Sequence, residues 1–116
     1  MNAIGPVGSV LVLVGAACLQ AEAQTFNDYP TTARVDYVFG CMKANGETRR
    51  AMEQCSCSID VIASLLPYER YVTAETVLSM QQVPGDRSAQ FRSSEVAKAA
   101  VDELRRAQAE GEVRCF

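Results

Sequence analysis

The stretch from Cys55 to Leu66, CSCSIDVIASLL, constrains this chain more than any other. Two of the five cysteines stand here, separated by one serine, inside the densest apolar run. Read as helix, Met52, Cys55, Ile59, Ile62 and Leu66 recur at three- and four-residue spacing and form one stripe for burial. Cys57, Val61 and Leu65 form a second stripe beside it, and Ser56, Asp60 and Ser64 leave a narrow polar line. A helix apolar over most of its girth has to be surrounded, so its neighbours are predicted to pack around it. Cys55 and Cys57 sit about 200° apart on such a helix and face different neighbours. Bonding them to each other would strain the ring and break the helix.

The start of the chain is different in kind. Residues 7–19 are apolar or small throughout, and Ala21-Glu22-Ala23 places small residues at both sites of a cleavage signal. This predicts a secretory leader over residues 1–23 and a single domain over 24–116, exported to the periplasm or beyond. No Lys or Arg precedes the apolar run, a departure from the usual leader. The run is too short for a span of about 20 residues, so no membrane attachment is expected after cleavage. Cys18, behind Gly15-Ala16-Ala17, allows a competing reading as a lipid anchor, although a glycine stands where a leucine-like residue is usual.

Loss of the leader removes Cys18 and leaves Cys41, Cys55, Cys57 and Cys115. An even count in a small exported chain predicts two disulfides. A core drawn from about 90 residues is thin, and two cross-links offset that at roughly 2–4 kcal/mol each. A thiolate metal site would favour Cys-x-x-Cys spacing, often with histidine, and the chain has no histidine. The favoured pairing is Cys41–Cys55 with Cys57–Cys115, which pins the carboxyl-terminal end; the crossed pairing stays open.

In chain order, residues 24–30 read as a loose amino terminus. A first helix runs from Thr31 or Thr32 to about Ala44, with Val35, Val38, Phe39 and Met42 as its inward stripe and Cys41 at the edge. Asn45-Gly46 ends it. The second helix spans about Glu47 to Leu66, and Pro67 starts a third that reaches about Gln82 with Tyr71, Val72, Ala74, Val77 and Leu78 inward. Val83-Pro84-Gly85-Asp86 is a turn whose glycine supplies a positive φ, and a loop through Phe91 plugs the core. Ser93 or Ser94 caps a fourth helix carrying Val96, Ala97, Ala100, Val101, Leu104 and Ala107, which Gly111 stops. The fold class is all-α, a small four-helix domain stapled by disulfides, with the first two helices as a hairpin.

The absent chemistry is informative. Without histidine there is no imidazole base, no usual serine triad and no histidine-held metal. No haem-attachment, phosphate-loop or EF-hand pattern occurs. The net charge is −3, and Arg49-Arg50 and Arg105-Arg106 lie among acids, so nucleic acid is not an expected partner. A small helical bundle offers little room for a substrate cleft, and no enzyme is expected. Carboxylates remain: Asp60, Glu69, Glu75 and Asp86 bracket the third helix with Tyr68 and Tyr71 among them. Asp60 lies on a helix with little polar surface, and Glu75 borders an apolar stripe. Converging oxygens of this kind bind hard cations; as ordinary surface charges they need only water.

The runs Tyr37-Val38-Phe39-Gly40-Cys41-Met42, Cys55-Ser56-Cys57-Ser58-Ile59-Asp60 and Tyr68-Glu69-Arg70-Tyr71-Val72, together with Ala74-Glu75-Thr76 and the Cys115-Phe116 ending, carry a resemblance. The chain resembles the landiscernin-like family of small periplasmic Cys-x-Cys helical proteins of methylotrophic bacteria. These accompany PQQ-dependent alcohol dehydrogenases that use lanthanide or calcium ions. The resemblance covers residues 35–116 and implies a periplasmic protein that binds lanthanide ions or assists the dehydrogenase. It transfers no metal-site motif, so the expected ligands are Asp60, Glu69 and Glu75, with a homodimer as one way to complete a site.

The expected function is therefore a non-enzymatic periplasmic binding protein. It would act as a chaperone for lanthanide or other hard metal ions, or as an accessory factor of the dehydrogenase. The rival is a metal-independent protein-binding factor or stress chaperone. A carboxylate hydrolase would need two acids about 5–10 Å apart across a cleft.

Overall fold

The computed structural model describes residue 5 and residues 28–116. The leader expected over residues 1–23, its cleavage motif and Cys18 lie outside the described residues. Five helices follow one another: α1 (Thr31–Asn45), α2 (Arg49–Leu65), α3 (Tyr68–Gln81), α4 (Asp86–Ser93) and α5 (Glu95–Cys115). The class is all-α, with one helix more than the sequence suggests. The segment read as a loop through Phe91 is α4. Ser88 is buried there and donates from Oγ to the Gly85 carbonyl at 2.6 Å. Gln81 donates to the Phe91 carbonyl at 2.7 Å, so polar contacts rather than an apolar stripe fold this turn-rich stretch back onto α3. Phe91 is only half-buried.

The helix boundaries follow local chemistry. Gly46 (φ 105°) ends α1 and donates to the Met42 carbonyl; Gly85 (φ 118°) supplies the turn before α4. Both conformations suit a residue without Cβ. Thr48 Oγ1 accepts from the Ala51 amide at 3.1 Å and caps α2; Ser94 Oγ accepts from Ala97 and caps α5. Leu66 is extended (φ −128°, ψ 118°), as the following proline requires.

Helix α2 is the shared wall. Ala51, Cys55, Ser58, Ile59, Ile62, Ala63 and Leu66 form its buried face. This stripe includes Ser58 in place of Met52, which is exposed. Helix α5 packs antiparallel along it with Ala97, Val101, Leu104, Ala107 and Gly111 buried. Gly111 does not stop α5, which continues to Cys115. Its missing side chain lets the helices meet: a Cβ there would lie 2.6 Å from Ser58 Oγ. Helix α3 lies against α5 through Tyr71, Ala74 and Val77. Val72 and Val96 face outward.

The disulfides are Cys41–Cys55 and Cys57–Cys115, with Cα–Cα distances of 5.8 Å each. They join α1 and α5 to α2 from different sides, as the angular separation of Cys55 and Cys57 requires. Residues 28–30 are not loose. Tyr29 is buried, its hydroxyl donates to the Leu66 carbonyl at 2.7 Å, and its ring meets Tyr68 and Tyr71 at 5.1 Å each. Asp28 accepts from the Tyr68 amide and holds the open amino end of α3.

Helix α1 departs most from expectation: none of its residues is buried. Its inward line is Arg34, Tyr37, Val38 and Cys41, so Val35 (46% exposed) and Phe39 (65%) point outward. The cause is the Cys41–Cys55 bond together with the contact of Tyr37 Oη and Ser58 Oγ at 3.0 Å. Both turn the helix away from its most apolar face. Among the described residues no helix is long and apolar enough to cross a membrane.

Candidate functional site

Of the hollows that border α1, the two largest lie on opposite sides of it, where little room for a cleft was expected. The first is the more polar of the two, an open hollow of about 630 Å³. Its walls are Asp36, Tyr37, Gly40, Cys41 and Asn45 of α1, Tyr71 and Glu75 of α3, and Gln108 and Glu112 of α5, with Ser58 beneath and Phe116 at the edge. Three helices far apart in sequence thus bring three carboxylates to one hollow. No Lys or Arg is among the residues that line it. The remaining polar groups are oxygens and amides from Tyr37, Tyr71, Ser58, Asn45 and Gln108.

Glu75 is the least solvated of these acids. It is half-buried, and burial holds its carboxyl above the usual carboxylate range. Tyr71 lies beside it; burial first, and then the charge of Glu75, push its phenol up. The phenol therefore stays protonated at neutral pH. The cause in each case is displacement of water with no compensating cation. Asp36 and Glu112 are exposed.

The second cavity, about 680 Å³, is an apolar groove between α1 and α2. Val35, Val38, Phe39, Met42, Met52 and Ile59 line it, with Arg34 and Asp60 at one end and Glu47 at the other.

The three acids expected to act together occupy three surroundings. Asp60 lies in the groove and pairs with Arg34 at 2.5 Å, so its partner is already a cation. Glu69 is exposed in the first turn of α3. Glu75 alone lines the polar cleft. Among the described residues, no three His, Cys, Asp or Glu side chains stand ready to hold a metal ion. Sequence reasoning missed Asp36 and Glu112. A local signal existed only for Asp36, next to a tyrosine; Glu112 reaches the cleft because α5 runs on past Gly111. Tyr68 and Tyr71 belong to the aromatic cluster over Tyr29, as core and rim residues.

Comparisons with protein families, curated proteins and solved structures find no match to this chain.

Proposed function

We propose that the protein is a non-enzymatic, exported binding protein for hard cations, calcium or lanthanide. It would serve as an accessory factor to a PQQ-dependent dehydrogenase, the enzyme that the proteins it resembles accompany. One observation carries this reading: Glu75 is half-buried in a cleft that also holds the carboxyl side chains of Asp36 and Glu112 and has no Lys or Arg in its lining. A bound cation would relieve the cost of placing that carboxylate away from water. The oxygen donors available are those that calcium and lanthanide ions prefer. Asp36 and Glu112 are exposed and free to swing toward Glu75 as an ion enters. Exchange of cargo suits such an adaptable set better than a closed cage. The disulfides fit the oxidising compartment that this role requires.

The test is titration with terbium at neutral pH and micromolar protein, exciting tyrosine. Tyr37 and Tyr71 in the cleft wall are placed to sensitise emission. Emission is expected for the parent protein, for Asp60→Asn and for Glu69→Gln, and is expected to fall at least tenfold in affinity for Glu75→Gln, a change of about 1.4 kcal/mol. Absence of sensitised emission, or emission untouched by Glu75→Gln, contradicts the reading.

A further inference from the structure

Beyond Gly111 the last turn of α5 is held by sulfur rather than by packing. Glu112, Val113, Arg114 and Phe116 are exposed, and only Cys115 is half-buried, through its bond to Cys57 of α2. Yet Glu112 and Phe116 of this turn line the polar cleft. One of the cleft's three carboxylates is therefore kept in place by a single covalent bond. We infer that Cys57–Cys115 is a redox latch on the polar cleft: a dithiol opens this bond while Cys41–Cys55 stays closed, and the freed end of α5 takes Glu112 and Phe116 away from the cleft.

The two bonds differ in what an attacking thiolate meets. In exchange, the thiolate attacks one sulfur and the other leaves as an anion. Cys55 is 0% exposed, so it cannot be attacked, and an anion leaving there would have no water around it. Its partner Cys41 lines the cleft with Asp36, Glu75 and Glu112, so a thiolate arriving that way meets like charge. Asn45 Nδ2, 3.7 Å from Cys41 Sγ, could ease the departure of Cys41, but only after attack at the sealed Cys55. Cys57 and Cys115 are both half-buried, and neither is sealed. Cys115 lies in the last turn of α5, where the negative end of the helix disfavours an anion. Attack therefore falls on Cys115, and Cys57 is the leaving group.

The first step forms a mixed disulfide between the dithiol and Cys115, and the Cys57 thiolate takes up a proton. The second thiol of the reductant then closes its own disulfide and expels Cys115 as a thiol. Two electrons and two protons pass from the dithiol to the protein. The body of α5 stays in place, because Val101, Leu104, Ala107 and Gly111 remain buried. That the opened cleft loses cation affinity rests on the function proposed above; the order of reduction and the release of the helix end do not.

Limited reduction with dithiothreitol at neutral pH, then alkylation and peptide mapping by mass spectrometry, reads the order. Cys57 and Cys115 should be labelled at least about tenfold faster than Cys41 and Cys55. In Cys57→Ser/Cys115→Ser, amides of Glu112 to Phe116 should exchange faster while those of Leu104 to Ala107 stay protected. Terbium affinity of this variant should fall at least about tenfold. Equal labelling of all four cysteines, or Cys41 and Cys55 first, overturns the latch. So does a helix end as protected in the variant as in the parent. Unchanged terbium affinity in the variant also overturns it and leaves the cation reading intact. A parent protein without terbium emission sinks the cation reading instead, and labelling and exchange then decide the latch.

Discussion

Along α2, the seam with α5 buries Ile62 and Leu104 completely and brings Ser58 against Gly111, whereas α1, stapled to the other side, buries none of its residues. Both flanking helices are antiparallel to α2, and both carry one disulfide to it. Yet α5 is held by a core that would exist without sulfur. Helix α1 is held by the Cys41–Cys55 bond, the Tyr37–Ser58 contact, the Arg34–Asp60 pair and the edge of Val38. The lesson is that a disulfide can do two different jobs in one small domain. Cys57–Cys115 restricts the unfolded chain around a core that is already closed. Cys41–Cys55 fixes the rotation of a helix whose own apolar stripe would turn it otherwise, and so creates both cavities.

The largest expected effect separates those jobs. Cys57–Cys115 closes a 58-residue separation and Cys41–Cys55 one of 14. Chain entropy alone assigns about 4 kcal/mol to the first and about 3 to the second. Replacing each pair by alanine and measuring denaturant unfolding should give losses in that order. Amide exchange should give the reverse order for α1, whose protection survives loss of Cys57–Cys115 and disappears with Cys41–Cys55. Equal loss of α1 protection in both variants would erase the distinction.

A smaller effect probes the seam itself. Gly111→Ala drives a methyl to 2.6 Å from Ser58 Oγ, an overpacking that costs roughly 1–3 kcal/mol. Adding Ser58→Ala should recover part of the loss, because the hydroxyl is the nearest obstacle. The Ser58 backbone, 3.2 Å away, keeps the recovery incomplete. Thermal unfolding of the two variants checks this.

The cleft between these regions has its own signature. Burial raises Glu75's carboxyl pKa in the folded state, so the folded protein binds the proton more tightly than the unfolded chain does. Stability linked to this group is therefore highest below the ordinary glutamate range and falls as pH rises through that range to the raised value. Glu75→Gln should raise the melting temperature at pH 7 and flatten that part of the pH profile. A lower melting temperature at pH 7 would mean that the carboxylate is satisfied rather than stranded.

The smallest effect belongs to the open face. Val35→Ala removes exposed methyls and should change stability by no more than about 0.5 kcal/mol. A loss several times larger, measured by urea unfolding in dilute protein, would mean that α1 is packed like α5.

Much of the frame was legible because it depends on local rules. The positive φ of Gly46 and Gly85, the cap at Ser94 and the extended Leu66 follow from residue type alone. That Cys55 and Cys57 do not bond each other followed from two side chains that cannot share one side of a helix; which of them takes Cys41 did not, and the structure shows Cys41–Cys55. What escaped detection depends on partners distant in the chain. Gly111 reads as a helix stop until Ser58 is seen against it, and Ser58, on neither apolar stripe, is buried because α5 covers it. Tyr29 looks like part of a tail until Leu66 accepts its hydroxyl. The apolar pattern of α1 pointed to Val35 and Phe39 as core, but the disulfide overrode it. In the cleft, Glu75 was visible as an acid bordering an apolar stripe. Asp36 and Glu112 were not, since only the convergence of α1, α3 and α5 makes them its neighbours.

Residue-resolved hydrogen exchange on the intact protein bears most directly on the contrast between the two flanks. Amides of Val101 to Ala107 in α5 should exchange only with global unfolding, while those of Val35 to Met42 in α1 exchange through smaller openings and orders of magnitude faster. Equal protection of both helices would contradict it.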